Sequence, residues 1–87
     1  MNTVPDTVVV TGGSAGIGRA IAARSREAGR RVLNLSRRPC PIDGVVNLEV
    51  DLADADAVPR AIARVRALLA AAPGRVHLVH NAAYPIE

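Results

Sequence analysis

The stretch TVVVTGGSAGIGRAIA, from Thr7 to Ala22, decides the fold. Its first five residues are β-branched and show no polar alternation, the pattern of a strand covered on both faces as in a parallel sheet. Beyond the glycines, Ile17, Ala20, Ile21 and Ala28 fit one helical face, and Gly29 supplies a stop. Gly12, Gly16 and Gly18 stand where the strand hands over to the helix. Glycine weakens both elements, because it loses more conformational freedom on folding than any other residue. Bare backbone at that junction therefore serves something else. A helix N-terminus offers unpaired N–H groups and partial positive charge, which suit a phosphate, and missing side chains let the anion come close. Ser14 adds a hydroxyl donor. A tight turn alone would account for the glycines, but not for their place between a strand and a helix.

Working outward, RVLNLS (Arg31 to Ser36) reads as a second strand, followed by the turn-rich RRPCPIDG. VVNLEVDL (Val45 to Leu52) reads as a third. A second helix begins near DADAVPRA, with Asp54 or Asp56 as its cap, and Pro59 favours the later start. Val58, Ile62, Val65, Leu69 and Ala72 give it one apolar stripe, and Pro73-Gly74 ends it. RVHLVHNAA (Arg75 to Ala83) is a fourth strand running into a loop. Strand, helix, strand, strand, helix, strand implies an α/β fold with parallel pairing through right-handed crossovers. The expected sheet has four strands in the order 3-2-1-4 with two main helices, half of a doubly wound, Rossmann-like fold, in one domain spanning residues 1–87. Ligands of such sheets bind beyond the carboxyl ends of the strands, at the switch between the first and fourth. The unusual residues gather there: the glycines after strand 1, Ser36 and Arg37 after strand 2, Asp51 after strand 3 and Asn81 after strand 4.

Composition excludes several other classes. Hydrophobic residues make up 49% of the chain and charged residues 22%, which is globular rather than disordered. The net charge of +3 rests on eleven basic residues, all arginine. Arg19, Arg24, Arg26, Arg30 and Arg31 accompany the first helix and Arg60, Arg64 and Arg66 the second, interspersed with apolar residues and without aromatic stacking partners. They read as solvated helix faces, not as a nucleic-acid patch. Cys40 is alone, so it reads as a loop residue without disulfide or redox role. No run approaches the roughly 20 apolar residues of a membrane span, and MNTVPD is not a secretory signal. A soluble, cytoplasmic protein without nucleic-acid or membrane partner is expected.

The glycine spacing discriminates further. Gly12-x3-Gly16-x-Gly18 departs from G-x-G-x-x-G, and no Gly-Lys-Ser/Thr follows to make a P-loop. TGGSAGIG instead resembles the Thr-Gly-x3-Gly-x-Gly signature of the short-chain dehydrogenase/reductase family. Arg37 after strand 2, Asp51-Leu52 at the end of strand 3 and Asn81-Ala82-Ala83 are similar to further marks of that family. The resemblance implies that Thr11, Gly12, Ser14, Gly16, Ile17 and Gly18 form the pyrophosphate loop of an NAD(P)-binding domain. It implies that Asp51 accepts a hydrogen bond from the adenine amine, with Leu52 beside the ring; the alternative for Asp51 is a charge at the N-terminus of the second helix. Asn81 would brace the strand-4 loop, and the backbone of Asn81, Ala82 and Ala83 would face the cofactor ribose. Ala83 stands where the family has glycine.

Strand 2 bears on the choice of cofactor. An NAD enzyme commonly ends it with an acidic residue on the ribose hydroxyls. Here Ser36 is followed by Arg37 and Arg38, and a guanidinium grips a phosphate through paired, charge-assisted hydrogen bonds. NADP(H) is expected in preference to NAD, with Arg37 the primary contact and Arg38 solvated. Ala15 offers no second basic contact. His77 and His80 fall on different faces of their strand and lack further ligands for a metal, so both read as packing or hydrogen-bonding residues.

The resemblance also implies a catalytic Ser and a Tyr-x-x-x-Lys motif, and neither can be assigned here. The sequence has no lysine, and Tyr84 lies three residues before its end. The expected function is the N-terminal cofactor-binding half of an NADP(H)-dependent carbonyl or alcohol oxidoreductase, inactive alone, whose full-length form takes a small-molecule substrate and is compatible with a homo-oligomer. The alternative is a non-catalytic nucleotide-binding or interaction module.

Overall fold

A computed structural model describes residues 5–71 and 74–81. The elements follow one another as β1 (Thr7–Thr11), α1 (Gly16–Glu27), β2 (Arg31–Ser36), β3 (Val46–Glu49), α2 (Val58–Ala70) and β4 (Val76–His80). The sheet is parallel throughout, in the expected order β3-β2-β1-β4. All five residues of β1 are buried, as the unbroken β-branched run requires of a central strand. The alternation of side chains then divides the core. Val8, Val10 and Val32 face α1 and pack with Ala22 and Cys40, whereas Val9, Leu33, Leu35, Leu48 and Val50 pack with Ala61 of α2.

Each helix packs part of the expected face, Ile21 in α1 and Val65 and Leu69 in α2, and departs from the rest. In α1 the buried residues are Gly18, Ala22 and Ser25, while Ile17 is 73% exposed and Ala20 and Ala28 are also exposed. The reason is proximity. The start of α1 lies against the glycine turn, so its inner stripe runs through small residues and the larger Ile17 is turned outward. In α2 the packed residues are Ala57, Ala61, Val65, Leu68 and Leu69, and Ile62 is exposed. Ala72 and Pro73 lie outside the described residues.

The helix ends are explained by backbone bonding. After α1, the N–H of Arg30 donates to the Ser25 carbonyl and that of Gly29 to Arg26, the paired closure of a Schellman motif. Before α2, neither Asp54 nor Asp56 is the cap. The cap is Ala57, without a side-chain bond, and Pro59 sits in the first turn, in keeping with the later start. Asp54 instead closes a turn, its carboxylate accepting from the N–H of Asp56 and its carbonyl from Ala57 and Val58. The third strand is shorter than Val45 to Leu52, because after Glu49 only the Val50 N–H continues the ladder, to Ser36, before the chain turns at Asp51.

Most arginines are solvated as expected, but Arg31 is half-buried. Its Nε donates to Thr7 Oγ1 and its Nη2 to the Leu68 carbonyl, a cation on the last turn of α2. Cys40 belongs to its loop yet is buried in the α1-side core. No described helix is long and apolar enough to cross a membrane.

His77 and His80 serve as hydrogen-bonding residues. His77 Nε2 lies 3.1 Å from Asp6 Oδ2, tying β4 to the segment before β1, and His80 Nδ1 lies 3.1 Å from Thr11 Oγ1. The bond from His77 holds the Asp6 carboxyl below its ordinary value of 3.8. A carboxyl with a lowered folded pKa stabilises above its unfolded value, and that contribution is lost as the pH falls through the folded one. In an NMR titration, His77→Ala should therefore move the Asp6 midpoint upward, toward 3.8. An unmoved midpoint would show that the pair does not form.

Candidate functional site

The carboxyl ends of all four strands lie along one edge of the sheet, because every pairing is parallel. Each glycine of the first junction answers a different demand there. Gly12 and Gly16 have φ of +72° and +60°, the left-handed region that L-residues enter only at a cost. A side chain at Gly16 would point into open space, so its absence bares the turn. Gly18 is required by packing: a methyl group there would overlap the Gly12 carbonyl oxygen and come within 2.6 Å of Asn81 Nδ2. The helix thus begins pressed against the end of β1.

Ala15, at the cap, makes no side-chain hydrogen bond, and the first turn of α1 carries no acidic residue. Its N–H groups and the positive end of its dipole are neither capped by Ala15 nor neutralised within the turn. Ser14 is half-buried beside them and Ile17 exposed. An anion can approach this turn over bare backbone, so its residues fit a diphosphate.

The end of β4 is joined to this turn. Asn81 donates its backbone N–H to Thr11 Oγ1 at 2.9 Å and its side-chain amide to the Gly12 carbonyl at 3.1 Å. Asn81 therefore braces the junction of β1 and β4, the switch point of the sheet. Ala82 and Ala83 lie outside the described residues.

On the other side of β1, Ser36 ends β2 and donates its hydroxyl to the Arg38 carbonyl, folding the turn that carries Arg37 and Arg38. Both arginines are exposed. A cavity of about 170 Å³ opens there, lined by Ser36, Arg38, Pro39, Asn47 and Glu49. Arg38 and Glu49, residues of opposite charge, both line it. Asp51 is two residues past the end of β3, its Oδ1 accepting from the N–H of Ala53 at 2.9 Å. It precedes the first residue of α2, Val58, and is not among the residues of that helix's first turn. Leu52 packs against the α2-side core. Among the described residues no group of histidine, cysteine and acidic side chains could hold a metal ion.

Sequence reasoning passed over Asn34. It sits inside β2, 1% exposed, on the face that otherwise packs apolar side chains against α1. Its Oδ1 accepts the N–H of Gly13 at 2.8 Å, and its Nδ2 donates to Ser36 Oγ at 2.9 Å and Asn47 Oδ1 at 3.0 Å. Asn47 Oδ1 also accepts from the N–H of Cys40 at 2.8 Å. The available signal was an amide side chain in the middle of an apolar central strand.

Comparison with known proteins agrees with this fold. The profile of the family described as short chain dehydrogenase matches residues 6–86. The chain is 40% identical over 85 residues to protein FixR of Bradyrhizobium diazoefficiens, an overlap of 90% of this chain and 30% of that protein. It superposes on the ligand-free aldohexose dehydrogenase of Thermoplasma acidophilum with a TM-score of 0.75 and 33% identity, covering 91% of this chain and 30% of the other. An oxidoreductase of the same family from Brucella ovis, in complex with partially ordered NAD, gives 0.74 and 38%, covering 90% and 38%. The chain spans well under half the length of each.

The close contact at Gly18 makes a direct test. Gly18→Ala should lower stability in urea unfolding by about 1–3 kcal/mol, the usual cost of overpacking, and shift the Asn81 side-chain amide resonances. Gly16→Ala should cost about 1–2 kcal/mol through its backbone angle alone and leave Asn81 unmoved.

Proposed function

Because the chain belongs to the short-chain dehydrogenase family, whose profile covers residues 6–86, we propose that it binds NADP(H) across the carboxyl ends of its strands. In this reading it forms the cofactor-binding half of a carbonyl or alcohol oxidoreductase. The observation that carries the reading is the uncapped start of α1, bared by Gly12 and Gly16, one strand away from the Ser36–Arg38 turn. The diphosphate takes the backbone of Gly12, Ser14, Gly16, Ile17 and Gly18, with Thr11 held beneath it by its bonds to β4. The adenosine lies toward β2 and β3, its amine toward Asp51 and its ring near Leu52, while Asn81 and the two alanines after it face the nicotinamide-side ribose. When bound, the nicotinamide gives or takes a hydride. The residues of this chain hold and orient it, and none is assigned a catalytic role.

Selectivity falls to the turn after β2. Arg37 is the primary contact for the extra phosphate and Arg38, on the cavity wall, the second. Glu49 opposes them. A charge-assisted bond contributes roughly 1.5–3 kcal/mol, and exposure in water places these arginines near the lower end. A relative that holds NAD makes NAD the competitor to exclude.

Fluorescence titration with NADPH and NADH separates the two. Arg37→Ala should weaken NADPH about tenfold, which corresponds to about 1.4 kcal/mol, and leave NADH unchanged. Arg38→Ala should weaken NADPH less, and Glu49→Gln should tighten it. Equal affinities for the two dinucleotides, unmoved by these substitutions, would overturn the assignment.

A further inference from the structure

The bonding around Asn34 is directional, and its direction can be worked out atom by atom. The Gly13 N–H can only donate, so the atom facing it is Asn34 Oδ1 and the amide nitrogen points the other way. Both hydrogens of that nitrogen are then used, one on Ser36 Oγ and one on Asn47 Oδ1. Ser36, accepting from Asn34, turns its own hydrogen to the Arg38 carbonyl. Asn47, accepting from Asn34, also accepts from the Cys40 N–H and donates back to the Cys40 carbonyl at 3.3 Å. One buried amide thus fastens the glycine turn to both ends of the segment from Ser36 to Cys40.

Packing adds a second constraint. A methyl group on Gly13 would come within 2.6 Å of Asn34 Oδ1, so the glycine turn lies directly on that oxygen. No buried side-chain nitrogen or oxygen among the described residues lacks a partner, and both polar atoms of Asn34 are bonded. Asn34 and its bond to Gly13 are buried while Ser36 and Asn47 reach toward the surface, and removing the amide leaves the Gly13 N–H without its partner.

We infer that Asn34 is a positioning residue for cofactor selectivity: it sets the spacing between the diphosphate turn at Gly13 and the Ser36–Arg38 turn while itself remaining covered by protein. The inference rests on the proposed NADP(H) site. It assigns to a buried amide, rather than to the arginines alone, the placing of the extra phosphate relative to the diphosphate.

The test cuts the network at its two ends. Asn47→Ala removes the acceptor that pins Cys40 and leaves the bond between Asn34 and Gly13 in place. It should lower NADPH affinity about tenfold with NADH affinity held within about twofold. Asn34→Leu removes both arms and should weaken both dinucleotides, NADPH the more. Amide hydrogen exchange without nucleotide supplies a readout independent of the cofactor. The Gly13 and Cys40 amides should be protected in the wild type, Asn47→Ala should speed Cys40 alone by at least tenfold, and Asn34→Leu should speed both. A folded Asn47→Ala that keeps the wild-type ratio of NADPH to NADH affinity would overturn the inference. A wild type without preference for NADPH would overturn the cofactor reading instead. The tie would then stand or fall on exchange, and Gly13 protection unaffected by Asn34→Leu would end it.

Discussion

The first turn of α1 rests on the Gly12 carbonyl with no room for a methyl group between them, and the carboxyl edge of the sheet is arranged around that contact. The same carbonyl accepts the side-chain amide of Asn81, so the end of β4 is placed by the end of β1. Thr11, one residue earlier, meets Asn81 and His80 through its hydroxyl. With helix and neighbouring strand both referred to one peptide group, a small shift of that group would move both, and packed interiors resist small shifts. The close approach gives the bare turn its definition even though glycine is the most permissive residue in the chain.

The two ends of the sheet are held by different means. At the amino ends, Arg31 spans from Thr7 to the last turn of α2, and His77 reaches Asp6. These bonds join elements of the fold and leave the ligand edge alone. At the carboxyl ends the fastening runs through side-chain amides of Asn34, Asn47 and Asn81 to backbone groups of the loops. An amide suits this task because it carries donor and acceptor on a short, planar group without the desolvation cost of a charge. The apolar layers then need only hold the strands in order, which the valines and leucines of β1 and β2 do on both faces.

Strand identity and order were legible because they follow from run length, punctuation and the handedness of crossovers. The bounds of β1 and β2 match the apolar runs residue for residue. The third strand overreached, since VVNLEVDL stays apolar past the point where Asp51 turns the chain. The helix faces were legible only in part: Ile21, Val65 and Leu69 pack inward as their spacing predicts, and the departures share one reason. Periodicity weights large side chains and so points Ile17 and Ile62 inward, yet the buried contacts of the helices include Gly18, Ala22 and Ala61, where small size is the useful property. Asn34 was hidden for the opposite reason. A polar residue in an apolar strand looks like an interruption until its partners are seen, and those partners come from a turn and a neighbouring strand that no local pattern connects.

That hidden amide bears on how an exposed arginine can discriminate at all. In water two unit charges 4 Å apart attract by only about 1 kcal/mol, and salt weakens this further. Arg37 and Arg38 are solvated, and so is Glu49, which lines the same cavity as Arg38. On a loose turn, much of the remaining attraction would be lost in ordering the backbone as well as the long side chains. On a turn already closed by Ser36 and fastened through Asn34 and Asn47, the backbone part of that ordering has been done by folding. In the proposed NADP(H) site, weak charges select a ligand because their distance from the glycine turn is fixed beforehand. The selectivity of such an edge is a property of the hydrogen bonds beneath the turn as much as of the guanidinium groups upon it.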